Sequence, residues 1–543
     1  MRYDDILEEV GQIGPYQRKV FILLCVPLAI VAATVMSTVF TLTEPAFRCA
    51  VPDLDNDTYS IQDKYHRALV DAAMGSGRDC NVYSEFNISD TFFGNGSQAT
   101  EKCHRWVYDT TYFTSSIITE FNLVCDKTYV RASSNAGMFA GSFVGCFAFG
   151  VLADIIGRKR SILICLIWNA VCCALLFFMP TIVSVIIVRV IQGMSFQMFG
   201  IAFSTSMELV GPDWRTTMGM GAEFAWVAGE FLVLPLAYFA NEWRRMYLAI
   251  GIASLLALLA ISLTPESPRW LLDKGKHMEA KIVIGDIAAS NNKTLPEGAL
   301  TKRTGEDGPS VKVWEMFKYR HLVIRTLVIF YNWFCVNLLY YGLSLNLDNL
   351  PGNPYINFLI GCLVELVAYV LTFLVLDRLG RKRVHTAAML FGGIACLLVI
   401  VPVTYLPSEH SWVVTALAML GKTAAAICYA TLYIMTNELF PTVVRNSGLA
   451  CCSIFENIAA TSSPYIADLG KLVGGDLSQA LPMMVFGSCA LLAGLLSTLL
   501  PETLGRDLPE TVQDALNYDR NSKKNDGDEE DHDISKELQM DKI

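Results

Sequence analysis

Charged side chains are scarce in this chain. Asp, Glu, Lys and Arg make up 17% of its 543 residues, against 53% hydrophobic. A soluble multidomain protein of that size needs more polar surface, so the composition places the chain in a lipid bilayer. Its mean hydropathy of +0.40 agrees. Catalytic motifs are missing as well. The seven histidines form no metalloprotease-type pair and no Cys-x-x-Cys stands in a polar context, so neither a metal site nor an enzyme is indicated. Gly421-Lys422-Thr423 matches the end of a phosphate-binding loop, but it lacks the leading glycine and lies in an apolar run. ATP hydrolysis is therefore not the energy source. Excess positive charge is absent too: the net charge of -10 argues against a nucleic-acid partner. Much of that charge sits in the tail from Asp519 to Ile543, which is polar and aperiodic and is expected to be disordered. Met1 to Lys19 carries acidic residues without an apolar core, so no cleavable signal peptide is expected and the first spanning helix should direct insertion.

Long apolar runs fill the space that charge leaves. A bilayer core of roughly 30 Å needs about 20 apolar residues per crossing. Such runs lie near 20–42, 134–156, 161–180, 182–209, 216–240, 245–264, 323–345, 354–376, 384–404, 412–437, 446–468 and 479–500, which predicts twelve spans. Basic turns at 157–160 and 381–383 follow the second and eighth runs, and cationic loops favour the cytoplasmic side. The expected organisation is a cytoplasmic N-terminus (1–19), a six-helix half (20–264), a charged cytoplasmic linker (265–322), a second half (323–500) and a cytoplasmic tail (501–543).

That topology puts the segment from about 44 to 132 outside. Three sequons fall there, at Asn56, Asn87 and Asn95, while a fourth at Asn292 falls on the cytoplasmic side and should stay unmodified. Twelve of sixteen cysteines lie in apolar runs, where a buried thiol is ordinary. The other four, Cys49, Cys80, Cys103 and Cys125, all lie in the external segment and predict two disulfides in one of three pairings.

Ionisable residues at membrane depth carry the functional signal, because burying charge in a bilayer is costly and such groups face a cavity or a partner. They are Arg189, Glu223, Glu230, Glu365, Lys422 and Glu456. If each base neutralises one acid, two carboxylates remain to attract a cation. Helical spacing puts Glu223, Trp226 and Glu230 on one face of the fifth span, and Trp333, Asn337, Tyr340 and Tyr341 on one face of the seventh. Phe196 and Phe199 form a similar pair on the fourth. Carboxylates beside aromatic rings suit an organic ammonium ion, through charge pairing and cation–π attraction. Gly137, Gly141 and Gly145 form a small-residue stripe for close helix packing.

The two halves repeat each other. Gly150-Val-Leu-Ala-Asp154-Ile-Ile-Gly157-Arg158-Lys159-Arg160 is echoed by Asp377-Arg-Leu-Gly380-Arg381-Lys382-Arg383, the pair Glu208 and Arg215 by Glu438 and Arg445, and Pro265-Glu266-Ser267 by Pro501-Glu502-Thr503. Acid and base at these helix ends can pair across the pseudo-symmetry axis, hold one conformation, and break when the halves rock, which makes Asp154, Arg158, Glu208, Arg215, Asp377, Arg381, Glu438 and Arg445 gating candidates.

With Tyr3-Asp4-Asp5-Ile6-Leu7, Gly14-Pro-Tyr-Gln17, Thr119-Glu-Phe-Asn-Leu-Val-Cys125, Pro265-Glu-Ser-Pro-Arg-Trp-Leu271, Tyr340-Tyr-Gly-Leu343 and Glu438 to Asn446, the chain resembles, nearly end to end, the organic cation and anion transporter family of the major facilitator superfamily. It looks most like the insect-type branch, with Leu363-Val-Glu365 resembling the cation and carnitine members. The resemblance implies an all-α major facilitator fold of two six-helix halves with a disulfide-stapled, glycosylated first loop. It further implies a multi-pass plasma-membrane protein without a cofactor that moves small organic cations by alternating access. Phe199, Glu223, Trp226, Trp333, Tyr340 and Glu365 match positions that line or border the family's cavity. One departure matters: cation transporters carry an aspartate, and anion or carnitine transporters an arginine, where this chain has Asn457, with Glu456 about 100° away around the helix. Zwitterionic amines are therefore the alternative substrate class. Turn motifs kept in both halves favour transport over a non-transporting sensor built on the same fold.

Overall fold

The computed structural model describes residues 3–52, 54, 56–74, 80–83, 100–295, 318–345, 347, 350, 352–407, 410, 412–441, 444–473, 478, 480–505, 509 and 515. Ten helices among the described residues are long and apolar enough to cross a bilayer. They are Pro15–Thr41, Cys125–Ile156, Arg158–Phe178, Ile182–Glu208, Pro212–Ala240 and Trp243–Ser262 in the first half, then Arg320–Ser344, Pro354–Leu379, Arg381–Tyr405 and Trp412–Leu439 in the second. The last two expected spans are helices that fall short of that standard for different reasons. Leu481–Ser497 has 17 residues. Arg445–Ala467 is long enough, but Ser453, Glu456, Asn457 and Ser462 make it polar. It lines the cavity described below, and a helix that faces water-accessible space has no need of an apolar face there.

Local signals set the helix ends. Pro15 and Pro354 occupy first-turn positions, where their missing N–H costs nothing, and the Asn353 side chain caps the latter helix through the Tyr355 amide. Thr181 and Ser184 cap the fourth span reciprocally. The second and eighth spans stop at Gly157 and Gly380, whose φ values of 109° and 93° are ones that other residues rarely adopt. The glycine stripe works by close approach. A Cβ on Gly141 or Gly145 would run into the backbone of Val190 or Met194 on the fourth span. Contact between the halves runs mainly through the second span against Arg445–Ala467 and the fifth span against the eighth.

The segment between the first two spans folds into a small domain. Phe47–Cys49 pairs antiparallel with Trp106–Tyr108, and Asn81–Tyr83 with Thr100–Lys102. The helix Lys64–Met74 packs Val70, Ala73 and Met74 on Cys49, Val51 and Val82. The disulfides join Cys49 to Cys103 and Cys80 to Cys125, one of the three pairings that spacing leaves open. A buried cluster braces the sheet: Arg48 pairs with Asp57 at 2.5 Å, and the His66 ring lies 2.9 Å from the same carboxylate. Asn56 is exposed, while Asn87 and Asn95 lie outside the described residues.

Beyond the sixth span, the stretch expected to be a charged linker starts as two helices, Pro268–Asp273 and His277–Ser290. Ile284, Ile287 and Ala288 form a stripe against Ile6, Leu7 and Val10 of the N-terminal helix Tyr3–Val10. Residues 296–317 of that stretch and the tail from Asp519 lie outside the described residues.

Candidate central cavity and its flanking charge clusters

Between the halves lies a cavity of about 120 Å³. At roughly 10–15 Å³ per water on that measure, it has room for about ten waters or a compact organic ion. Helical periodicity aims its walls. Phe196 and Phe199, Glu223 and Trp226, Tyr429 and Tyr433, and Ser453 with Glu456 and Asn457 are all spaced to share a face, and all line it. Tyr340, Tyr341 and Tyr369 complete the second half's wall. The rings brace one another: Phe199 meets Trp226 edge-on at 5.5 Å, and Phe139 reaches across the halves to Tyr341 at 4.8 Å. Among the described residues the lining includes two carboxylates, Glu223 and Glu456, and no Lys or Arg. Tyr429 donates to Glu456 at 3.2 Å. Asn457 donates to Ser453 O of its own helix at 2.8 Å, which spends one of its amide hydrogens.

Glu365 stands behind this wall. It belongs to a fully buried cluster in which Lys422 lies 3.0 Å from Glu365 and 3.8 Å from Glu230. Tyr340 and Tyr369, both on the cavity wall, donate to Glu365 at 2.7 and 3.2 Å. Trp226 donates to the Tyr340 hydroxyl at 2.7 Å. Among the described residues Arg189 neutralises no carboxylate: it donates to Asn135 at 2.8 Å and Tyr247 at 3.2 Å within the first half. In place of the expected one acid on each base with two left over, two acids share Lys422 and two line the cavity.

The duplicated turns build matching clusters on the face opposite the loop domain. In the first, Arg158 pairs with Asp154 at 2.6 Å and Glu208 at 3.6 Å, while Glu266 accepts from the Arg158 and Lys159 amides at 2.8 and 3.1 Å. In the second, Arg381 pairs with Asp377 at 3.0 Å and Glu438 at 3.3 Å, while Glu502 accepts from the Arg381 amide at 2.8 Å. Ser267 and Thr503 donate to Glu208 and Glu438 at 2.5 Å. Each arginine opens the helix directly after its glycine turn, which aims it at the fourth or tenth span of its own half. The pairs consequently form within each half, not across the axis as the repeat suggests. Arg215 departs further, pairing with Asp4 of the N-terminal helix at 2.6 Å, where Arg269 joins it at 2.8 Å. The Arg445 side chain lies outside the described residues.

The profile described as "Sugar (and other) transporter" matches residues 76–514. An organic cation transporter protein of Drosophila melanogaster is 34% identical over 534 residues, covering 95% of each chain. Human solute carrier family 22 member 2 is 31% identical over 539 residues, again 95% of each. The chain belongs to the organic cation transporter family of the major facilitator superfamily. The inward-open xylose transporter XylE of E. coli overlays 93% of this transporter and all of its own chain with a TM-score of 0.60 at 16% identity, a likeness of fold alone.

Of this transporter's expected site residues, Phe199, Glu223, Trp226, Tyr340, Tyr341, Glu456 and Asn457 line the cavity. Glu365 and Trp333 do not. Trp333 lies buried beneath Tyr429 and Tyr433 and donates to Thr436 at 3.0 Å. Glu456 and its neighbour Asn457 both reach the cavity, because the helix faces it over an arc wide enough to include positions 100° apart. Sequence reasoning missed Tyr369, Tyr429 and Tyr433. The signal was there, since Tyr369 stands four residues after Glu365 and Tyr429 four before Tyr433.

Proposed function

We propose that this transporter carries small organic cations across the plasma membrane, polyspecifically and by alternating access, with both termini cytoplasmic. The observation that supports this best is a cavity wall that has, among the described residues, two carboxylates, no cationic side chain and a surround of aromatic rings. An ammonium ion entering it meets unneutralised negative charge and ring faces, each ring contributing about 0.5–2 kcal/mol depending on desolvation. A wall of ring faces recognises charge and bulk more than shape, which suits a broad substrate range. The paired turn clusters serve as gates that tie helix ends within each half. The orientation is supported by the basic turns lying opposite the stapled loop domain, which is then external and glycosylated at Asn56, Asn87 and Asn95.

The second reading is a zwitterionic amine. It is favoured by the neutral amides of Gln197 and Asn457 on the wall, which can donate to a carboxylate. Uptake of labelled tetraethylammonium and carnitine into expressing cells, with and without sodium, separates the two. Tetraethylammonium should enter, and Glu223→Gln or Glu456→Gln should raise its apparent KM about tenfold, the equivalent of one charge-assisted contact of roughly 1.5 kcal/mol. Uptake of carnitine alone would select the second reading.

A further inference from the structure

Rings meet across the two halves at the end of the cavity nearest the loop domain. Phe40 of the first span stands five residues beyond Val35 of the cavity wall, roughly 8 Å further out at 1.5 Å per residue. There it stacks on Tyr355, at the start of the eighth span, with ring centroids 5.5 Å apart. Phe113, from the segment that joins the loop domain to the second span, meets the same tyrosine at 5.2 Å. The Tyr355 hydroxyl donates to the Tyr112 carbonyl at 3.2 Å. Phe40 also meets Phe358 of the eighth span at 5.0 Å. Beside these rings, Arg131 of the second span lies 3.9 Å from Asp468, just past the helix Arg445–Ala467, and Tyr465 of that helix donates to Ser133 at 3.2 Å. The cytoplasmic end differs: among the described residues, the ion pairs of its charge clusters close within one half or the other.

Phe113 owes its place to the loop domain. Its segment leaves the strand Trp106–Tyr108 and is pinned to the first half along its length. The Asp109 amide donates to the Ala46 carbonyl at 2.8 Å, the Thr114 amide to the Asn241 carbonyl at 3.1 Å, and the Ser116 hydroxyl to the Thr43 carbonyl at 2.9 Å. Thr43 and Ala46 follow the first span and Asn241 follows the fifth, so a segment tied to all three moves with the first half. The Cys80–Cys125 disulfide ties the loop domain to the start of the second span, also in the first half. Tyr355 is carried by the second half. We propose that the loop domain is a working part of the outer gate: it holds Phe113 and the Tyr112 carbonyl as a fixed jaw on which Tyr355 closes. Substrate reaches the cavity from outside when the second half draws Tyr355 off that jaw. Rings suit the task, because two ring faces can part without leaving an unpaired buried charge behind.

This inference rests on the alternating-access reading above, and its test reads the gate without relying on transport. Ser142→Cys places a reporter thiol on the cavity wall of the full-length protein in cells. Its reaction with an impermeant cationic methanethiosulfonate added outside is measured against the same protein with Ser142 intact. Phe113→Ala and Tyr355→Ala should each raise the labelling rate about fivefold at equal surface density, the equivalent of one ring pair. Phe113→His combined with Tyr355→His puts imidazoles where the rings stand 5.2 Å apart, close to the separation of about 5 Å that two histidines adopt on one tetrahedral Zn²⁺. Zinc should then abolish both labelling and tetraethylammonium uptake in the double variant, and EDTA should restore them, while neither single histidine variant responds. Parent labelling rates in both alanine variants overturn the gate. A rise in Tyr355→Ala without one in Phe113→Ala removes the loop domain from it. If the double variant fails to reach the surface or to bind zinc, the alanine variants decide. Should the wild type carry neither tetraethylammonium nor carnitine, the transport reading falls, and the labelling rates still judge the gate.

Discussion

Asn457 shows how much one side chain can decide in this cavity. It stands on the wall beside Glu456, where an amide can serve an ammonium or a carboxylate and strongly prefers neither. Asn457→Asp adds a carboxylate to a wall that holds no cationic side chain among the described residues, so initial-rate uptake of tetraethylammonium should rise. Asn457→Arg sets a guanidinium next to Glu456 and should lower kcat/KM for tetraethylammonium at least tenfold, given the roughly 4 kcal/mol between unit charges 4 Å apart at an effective dielectric of 20. The same change should favour carnitine in relative terms. Equal loss of both substrates in both variants would mean that Asn457 only packs. Asn457 and Glu223 were legible at this scale, because a polar residue in an apolar run announces itself. The division of labour between Glu223 and Glu365 was not, since both read as membrane carboxylates beside aromatics and only the position of Lys422 tells them apart.

At the scale of the element, the duplicated turns owe their geometry to glycine and to a half-buried acid more than to the aspartates that make the motif conspicuous. The side chains of Asp154 and Asp377 are 71% and 69% exposed, so their pairs with Arg158 and Arg381 are worth only a few tenths of a kcal/mol. Asp154→Asn should accordingly change maximal uptake less than twofold. Gly157→Ala and Gly380→Ala should lower it several-fold at equal surface density, measured by surface biotinylation alongside uptake. A Cβ there would run into the carboxylates of Glu266 or Glu502 that cap the next helix, at a φ only glycine adopts readily. Normal uptake in both alanine variants would show that the turns only anchor the chain. The repeat was visible in the residue order. That the clusters close within each half was not, because pairing across or within an axis depends on where helix ends meet.

For the whole molecule, the loop domain and the membrane bundle answer to different conditions. Burial alone would raise the Asp57 carboxyl, but the Arg48 guanidinium, the Val51 amide and the His66 ring hold it below the usual carboxylate range. A group held low in the folded state contributes stability in full above its unfolded value, roughly pH 3.9, and loses it as pH falls through the folded one. Pepsin should therefore cut the loop domain of the intact protein increasingly as pH falls from about 5 to 2, and Asp57→Asn should remove that dependence while weakening the domain at neutral pH. A cleavage rate that tracks pepsin's own activity in both proteins would deny Asp57 this role. The membrane setting, the order of the spans, the duplication and the four loop cysteines followed from the sequence alone, because each is a matter of composition or of order along the chain. The disulfide pairing, the docking of the N-terminal helix on the segment after the sixth span, and the sorting of four membrane carboxylates into two that face the cavity and two that share Lys422 were decided only by tertiary structure. Each is a contact between residues remote in the chain, and periodicity says which face of a helix a residue occupies but not what that face meets.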